Sequence, residues 1–180
     1  MNISIVEVQM RTIASNMLKQ WAGLYCELWK EPPWNEDFWQ PESVAEDFRK
    51  EMNNTHALAF LAIHEERVVG FTHGYSVSKD ELRLISGNDL LDELFVECER
   101  IYYVDELGVA INYRGKNIAT RLTQALIQGS IKNGISSVTL RTDTQAVAAR
   151  HVYEKLGFRE FEIHDAAHPT RTYWFLQTVK

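Results

Sequence analysis

The sequence has little that would suit it to a membrane or to an oxidising compartment. Its longest apolar run, ALAFLAI at 57–63, is far shorter than the roughly 20 residues that span a bilayer. No basic segment followed by an apolar stretch opens the chain, so the sequence predicts no signal peptide. Only two cysteines, Cys26 and Cys98, occur, and they match no metal-ligand spacing. We therefore expect reduced thiols in a cytoplasmic protein, the less favoured alternative being one disulfide.

Repeats, low-complexity segments and linkers are also missing, which excludes solenoids and predicts one continuous domain over 1–180. A chain of 180 residues, 45 % hydrophobic and 24 % charged, has the balance of a globular protein with a real core.

The charge is unevenly distributed around a net value of −6. Residues 31–51 hold seven acids against two bases, and 80–106 hold nine against two, whereas 112–159 hold eight bases against two acids. Any single charge is best read as part of a solvated face. An acidic half joined to a basic half nevertheless suggests an anionic ligand on one side and a cationic one on the other. The net charge argues against a nucleic-acid-binding protein.

Alternating and helical patterns predict a series of strands and helices in the first half. ISIVEV at 3–8 alternates as a strand does, and 11–30 carries apolar residues at helical spacing. The adjacent prolines in EPPWNEDFWQP end this helix, and Pro41 starts a second helix covering 42–53. The segment 56–77 predicts two strands joined by a tight turn at EER.

The second half continues the alternation of helices and strands. Within the acidic stretch 79–100, SGNDLLDELFVEC predicts a cap and a short helix, and RIYYVDELGVA predicts a central strand in which Gly108 indicates a bulge. A helix over 117–132, a buried strand SSVTLRT, a helix over 145–156 ended by Gly157 and a closing antiparallel pair follow. The predicted class is α/β, with a mixed sheet covered by helices.

The turn NYRGKNIATRL at 112–122 joins the central strand to a helix. The N–H groups at the start of a helix point the same way, beside the positive end of its dipole, and so form an anion site. Gly115 lets the backbone approach a ligand closely, and Arg114 and Lys116 add charge at its rim. A plain strand-to-helix connection explains these residues equally well.

A second motif lies one strand and one helix further on, where YEKLGF spans 153–158. Together, V-x-x-x-Y-R-G-K-x-I-A and A-x-x-x-Y-E-K-L-G-F resemble the GNAT superfamily of acetyl-CoA-dependent N-acetyltransferases. The resemblance follows the strand order throughout and is most specific over 104–158. It implies the GNAT fold, a mostly antiparallel mixed sheet flanked by helices and splayed at the cofactor-binding strand, with acetyl-CoA as co-substrate.

The resemblance also implies which residues bind the cofactor. Leu107, Gly108 and Val109 should pair with the pantetheine arm as if it were an extra strand. The turn should hold the pyrophosphate, and the residues implied there are Arg114, Gly115, Lys116, Asn117, Ile118, Ala119 and Thr120. Tyr153 occupies the position of the family's general acid, close to the thioester sulfur; a core aromatic residue is the alternative.

Three positions depart from the family pattern. Asn117 replaces a glycine of the loop, although Asn tolerates positive φ better than most residues. Ala146 replaces an asparagine that many members use to bind the cofactor. Arg141 replaces a glutamate that some members use as a base, so the base must be sought elsewhere.

Acetyl transfer to an amine needs a base, because an alkyl amine is mostly protonated at pH 7 and attacks only when neutral. Asp105 and Glu106 are the candidates. Their adjacency on a strand predicts opposite faces, so that only one reaches the acceptor. Resemblance to polyamine and aminoglycoside acetyltransferases favours Asp105, four residues before Val109; Glu106 is the reserve, and a surface or salt-bridged acid is the alternative for each. The N–H of Val109 is the candidate oxyanion donor.

The acceptor is predicted to be a small cationic amine bound near the junction of the first two helices. Trp34, Glu36, Asp37 and Phe38 are the candidate acceptor-binding residues, unless they only lock the two helices together. The histidines show no metal-ligand spacing, so no metal is expected. The alternative functions are acetylation of a protein or peptide and simple cofactor binding. No nucleic-acid or membrane partner is expected, and a homodimer stays open.

Overall fold

The central sheet determines the arrangement of all other elements. The computed structural model describes residues 2–89, 91, 95 and 98–178. Within these residues seven strands form one sheet in the order β1-β2-β3-β4-β5-β7-β6. Only the neighbours β4 and β5 run parallel, as predicted for a mixed, mostly antiparallel sheet. The strands are β1 (Ser4–Val8), β2 (Leu58–His64), β3 (Arg67–Val77), β4 (Ile101–Val109), β5 (Ser137–Asp143), β6 (Arg159–His164) and β7 (Arg171–Gln177).

Helices cover both faces of this sheet. On one face α1 and α2 bury Trp21 and Phe48 against Phe71 of β3. On the other face α4 buries Leu122 and Leu126 in the larger core cluster. No helix in the described part of the chain is long and apolar enough to cross a membrane. The helices are α1 (Ser15–Trp29), α2 (Pro41–Glu51), α3 (Lys79–Ser86), α4 (Ile118–Lys132) and α5 (Val147–Lys155), with a 3₁₀ turn at Ile111–Tyr113.

The acidic segment after β3 differs from its prediction. Helix α3 comes before SGND: it begins at a capping box formed by Ser78 and Glu81 and ends at Gly87, whose φ is 61°. The helix that we predicted after SGND lies largely outside the described residues. Cys26 and Cys98 are both free thiols.

The sheet opens between β4 and β5. The two strands pair only over Tyr102–Val104 and Val138–Leu140, although both continue further. Beyond this point β4 stays paired with β3 as far as Val109. The edge of β4 from Asp105 onward therefore faces a gap, and the predicted splay is confirmed.

A β-bulge lies on β4 at the start of this gap. His73 pairs with Glu106 and Gly74 pairs with Val104, which leaves Asp105 as the extra residue. The bulge predicted at Gly108 is wrong, because Gly108 stays in register with Phe71. Gly108 is required for a different reason: a Cβ there would lie 2.6 Å from Leu28 Cδ1 and 2.8 Å from the Phe71 ring.

We predict that Gly74→Ala destabilises the protein by about 1–3 kcal/mol, the usual cost of overpacking. A Cβ at Gly74 would lie 2.4 Å from the backbone oxygen of Tyr103, inside the bulge pairing. Gly23→Ala is the matched control, because its Cβ meets nothing within 4 Å in the interior of α1. That variant should gain about 0.5–1 kcal/mol. Urea unfolding measures the stability of both variants. If Gly74→Ala unfolds at the same urea concentration as the parent protein, the bulge tolerates a side chain at this position.

Candidate active site

A cavity of about 760 Å³ occupies the gap opened by the splay. Its walls come from the end of β4 (107–109), the turn and first residues of α4 (113–115 and 117–120), the start of α5, and the segment 28–34. Of the predicted cofactor residues, all of 107–109 and the whole turn except Lys116 line this cavity. Residues far apart in sequence are therefore brought to one site.

The turn before α4 leaves amide groups exposed to this cavity. Gly115 and Asn117 both have left-handed backbones, with φ of 74° and 62°. Asn117 thus adopts the conformation expected of the glycine that it replaces. Helix α4 has no side-chain cap and no acidic residue in its first turn. The uncapped N–H groups and the helix dipole together suit an anion such as a phosphate.

The basic side chains of the turn are already engaged. Arg114 forms an ion pair with Glu31 at 2.7 Å, and its Nε donates to the Val109 carbonyl at 3.1 Å. Lys116 donates to the Asn112 carbonyl at 2.7 Å and lies over the Tyr113 ring, away from the cavity wall. The sequence reasoning missed Lys155, which lines the cavity and donates to the Asn117 side chain at 3.2 Å. The position of Lys155 inside the YEKLGF motif was the sequence feature that could have identified it.

A smaller cavity of about 290 Å³ lies on the other side of β4, against α1 and α2. Its lining residues are Tyr25, Trp39, Val44, Asp47, Phe48, Lys50, Glu51 and Glu106. Among them, sequence reasoning named only Glu106 as a candidate catalytic residue. Glu51 was missed because it is separated from Glu106 by two strands and a helix. We call the group Glu51, Asp105 and Glu106 the carboxylate cluster.

Asp105 and Glu106 lie on the same face of the sheet, so the predicted opposite orientation is wrong. Asp105 accepts a hydrogen bond from Tyr75 at 3.1 Å and lies 3.9 Å from His73 Nε2. Glu106 accepts one from the Tyr25 hydroxyl at 3.4 Å. The contact of Asp105 with His73 and the contact of Glu106 with Tyr25 both lie on the side of the sheet that α1 and α2 cover. The bulge is the reason, because its extra residue breaks the alternation of side chains along the strand.

Two members of the carboxylate cluster, Asp105 and Glu106, have raised pKa values. Burial is the largest cause of the strongly raised pKa of Glu106, followed by the charges of Asp105 and Glu51. Burial also raises the pKa of Asp105, against the opposing effect of His73. Because each carboxylate disfavours ionisation of the next, a bound cation would relieve this repulsion.

Tyr153 lies beneath the larger cavity rather than in its wall. It is 5 % exposed and packs against Phe158 and Trp174, at ring-centroid distances of 5.8 and 6.1 Å. Burial, and then the charge of Glu106, raise its pKa, so the phenol keeps its proton at neutral pH. Glu106 is thus the charged group that acts on it across the sheet.

The four predicted acceptor residues have different surroundings. Trp34 lines the larger cavity and carries the Arg171 guanidinium 5.1 Å from its ring centroid. Glu36 accepts from Trp39 Nε1 at 2.7 Å and pairs with Arg171 at 3.4 Å, so it holds its own loop in place. Asp37 and Phe38 are exposed and line neither cavity.

Arg141, which stands where some relatives have a base, is tied to another residue. It forms an ion pair with the buried Asp165. Asp165 also accepts from the Tyr173 hydroxyl and from the backbone N–H groups of Ala167 and His168. This network orders the loop between β6 and β7. Ala146 lies in the cavity wall at the start of α5, where it offers no side-chain hydrogen bond.

The family model of the acetyltransferase (GNAT) family matches residues 21–158. The chain therefore belongs to this family of acetyltransferases, as its motifs predicted. Among curated relatives, N-alpha-acetyltransferase 30 of Schizosaccharomyces pombe is 37 % identical over 60 residues, 33 % of this chain and 40 % of the relative. N-acetylaspartate synthetase of Xenopus tropicalis is 35 % identical over 63 residues, 35 % of this chain and 23 % of the relative. The matched segment thus spans less than half of either relative.

Solved structures show the same fold at low identity. A PaiA N-acetyltransferase from Thermoplasma acidophilum, in complex with coenzyme A, has a TM-score of 0.69 at 15 % identity and covers 98 % of this chain and 99 % of its own. An aminoglycoside N-acetyltransferase in complex with CoA has a TM-score of 0.65 at 17 % identity, covering 89 % and 90 %. Arabidopsis thaliana NAA60, solved with a bisubstrate analogue, has a TM-score of 0.65 at 19 % identity, covering 98 % and 100 %.

We predict that Glu106→Gln changes how stability depends on pH. The pKa of Glu106 is raised on folding, so the folded state holds its proton to higher pH than the unfolded state does. The stability of the parent protein then falls as the pH rises from the unfolded pKa through the folded one. The Gln side chain cannot ionise and avoids this loss. The melting temperature of the variant relative to the parent should therefore be higher at pH 8 than at pH 5.

Other charges around Glu106 are unchanged in this comparison. They belong to Asp105 and Glu51, and to Arg171 and Arg141, which act in the opposite direction. Glu162→Gln, at an exposed position on β6, is the control and should show no such difference. A Glu106→Gln curve parallel to that of the parent between pH 5 and pH 8 would contradict the raised pKa.

Proposed function

We propose that the protein transfers the acetyl group of acetyl-CoA to a primary amine, in a complex that holds both substrates. The observation that carries this proposal is the placement of two cavities on either side of the end of β4. One cavity meets the uncapped start of α4, which suits a pyrophosphate, and the other meets partly buried carboxylates, which suit an ammonium group. The thioester and the amine would meet at the strand between them.

Acetyl-CoA would occupy the larger cavity. Its pyrophosphate would bind the amides of 115–120, and its pantetheine arm would add to the unpaired edge of β4 at Leu107–Val109. Lys155 lies close enough to Asn117 to add a positive charge at the same end. Support comes from the family match and from relatives of the same fold that were solved with coenzyme A.

The acceptor amine would enter from the smaller cavity and lose its proton before it attacks. A carboxylate with a raised pKa is a better base near neutral pH than an ordinary one. Asp105 and Glu106 both meet this condition, and Glu106 lines the cavity directly. We assign deprotonation to Glu106, with Asp105 as the neighbour that raises its pKa.

The later steps need an oxyanion donor and an acid. The N–H of Val109 would stabilise the charge that develops on the thioester oxygen as nitrogen bonds to the acetyl carbon. The C–S bond then breaks and the thiolate takes a proton. Tyr153 would donate it, because its buried phenol remains protonated at neutral pH. The second proton that the nitrogen loses as the amide forms would restore the phenol.

The acceptor would be a small polycationic amine. The carboxylate cluster favours positive charge, and one relative of the same fold is an aminoglycoside acetyltransferase. A peptide N-terminus is the second candidate, supported by the match to N-alpha-acetyltransferase 30. A peptide also presents an ammonium group, but its neighbouring residues need contacts outside a cavity of about 290 Å³.

We expect coenzyme A release from acetyl-CoA to be faster with polyamines or aminoglycosides than with acidic or neutral peptides. A thiol-release assay over a panel of such amines measures this. Added salt should raise the acceptor KM more than it lowers kcat, since it screens the attraction between ammonium and carboxylates. A preference for peptides with a salt-independent KM would favour the N-terminal acetyltransferase. Absence of release with every amine would contradict the proposed activity.

We also predict that Gly115→Val weakens acetyl-CoA binding by about tenfold or more, equivalent to 1.4 kcal/mol. Its side chain would project into open space at the turn, where the phosphates are proposed to bind. Gly134→Val is the matched control. Gly134 has a φ of 79° against 74° for Gly115, its Cβ also meets nothing within 4 Å, and it lies at the other end of α4. The two variants should therefore share the same backbone strain.

Calorimetric titration of both variants with acetyl-CoA distinguishes a site effect from strain. Gly134→Val should bind within a few fold of the parent protein. If both variants bind acetyl-CoA with the same affinity, the cofactor does not bind at the turn.

A further inference from the structure

A buried histidine lies beside the carboxylate cluster without a hydrogen-bond partner. His73 is fully buried on β3, with the Trp21 and Phe48 rings 5.7 and 5.2 Å from its own. Among the described residues neither of its ring nitrogens makes a hydrogen bond. Buried polar atoms almost always have partners, so this side chain requires an explanation.

The Nε2 atom of His73 points at two carboxylates in an unusual geometry. It lies 2.9 Å from Glu51 Oε2 and 3.9 Å from Asp105 Oδ2. The shorter distance is that of a hydrogen bond, yet the oxygen lies too far off the N–H direction to accept one. Adjacent ligands of a single metal ion have this relation, because each aims its lone pair at the ion and not at the other ligand.

An ordinary ion pair explains the arrangement less well. An imidazolium donates from both ring nitrogens, and here Nδ1 would be a buried charged donor without an acceptor. A neutral ring leaves one nitrogen with a free lone pair. With the proton on Nδ1, that lone pair belongs to Nε2 and is free to bind an ion that lies beside both carboxylates.

We propose that Glu51, His73 and Asp105 form a binding site for a divalent transition-metal ion such as Zn²⁺ or Mn²⁺. The three ligand atoms lie within 4.8 Å of one another. In a tetrahedral zinc site neighbouring ligand atoms lie about 3.4 Å apart, so the wider pairs of ligand atoms need to close by up to about 1.4 Å when an ion binds. One imidazole and two carboxylates suit these metals better than Mg²⁺, which prefers oxygen alone.

The ligands are held by three different elements. Glu51 ends α2, His73 lies within β3, and Asp105 is the bulge residue of β4. The Tyr75 hydroxyl donates to Asp105 and orients it, as outer-shell partners do in metal sites. Local spacing in the sequence could not reveal such a set, which explains why the histidine pattern predicted no metal.

The site would be accessible from the smaller cavity, because Glu51 lines its wall and its side chain is 31 % exposed. An ion bound there would neutralise two members of the carboxylate cluster and occupy space beside Glu106. It would therefore compete with a cationic acceptor. This consequence rests on the proposed function, whereas metal binding itself does not.

The test is calorimetric titration of the full chain, treated with EDTA and dialysed, with ZnCl₂, MnCl₂ and MgCl₂. We expect one Zn²⁺ or Mn²⁺ ion per chain, a matching rise in melting temperature, and no saturable binding of Mg²⁺. Glu51→Gln keeps the shape of a half-exposed side chain and removes a charged ligand, so it should bind Zn²⁺ at least about tenfold more weakly. His73→Asn should do the same, and His168→Asn, at an exposed position, should bind like the parent protein.

The proposal fails if the parent protein shows no saturable binding of Zn²⁺ or Mn²⁺. It also fails if Glu51→Gln binds as tightly as the parent, a result that does not depend on whether His73→Asn folds. Because binding is measured without turnover, these outcomes are separate from those of the amine assay. If the protein binds the metal ion but acetylates no amine, the metal site is supported and the proposed function is wrong.

Discussion

The pairing of β4 is the constraint on which the site depends. On one side the strand keeps its partner β3 from Ile101 to Val109, and on the other it pairs with β5 over three residues only. The first pairing makes the strand rigid, and the early end of the second leaves backbone groups unpaired inside the fold. Such groups cost free energy unless a ligand or water satisfies them. The gap is therefore a place that suits an extended ligand in the position of a missing strand.

The bulge at Asp105 adds a second cost, which also serves binding. It places two neighbouring carboxylates on one face, and the end of α2 brings a third. Burial and the charges of neighbouring carboxylates disfavour the ionised forms of Asp105 and Glu106, and this raises their pKa values. The same arrangement would favour a bound cation, because a positive charge removes the repulsion that folding has introduced. Repulsion among these carboxylates lowers the stability of the folded protein, and a bound ammonium group or metal ion would restore it.

Most of the fold and the conformation of the turn before α4 could be predicted from the sequence because their signals are local. Pro41 as the first residue of α2, Gly157 with a φ of 88° and Asn117 with a left-handed backbone follow from the conformational preferences of single residues. The two family motifs placed the turn and α5 correctly. The bulge could not be predicted, because it depends on the neighbouring strand. The Tyr103 backbone oxygen lies so close to Gly74 that no Cβ would fit between them. Glu51 and His73 were missed since only the packing of α2 on β3 brings them to Asp105.

The ion pair between Glu31 and Arg114 links the segment between the first two helices to the turn before α4. The Arg114 guanidinium is not free to bind a further anion, because it is already paired with the Glu31 carboxylate at 2.7 Å. A phosphate that takes this guanidinium must displace a carboxylate, so the gain is the difference between two similar attractions. Release of Glu31 would remove one of the contacts that hold the loop carrying Trp34 beside the same cavity. Phosphate binding at the turn would therefore be linked to the contacts of this loop, and by reciprocity anything that holds Glu31 against Arg114 would weaken phosphate binding.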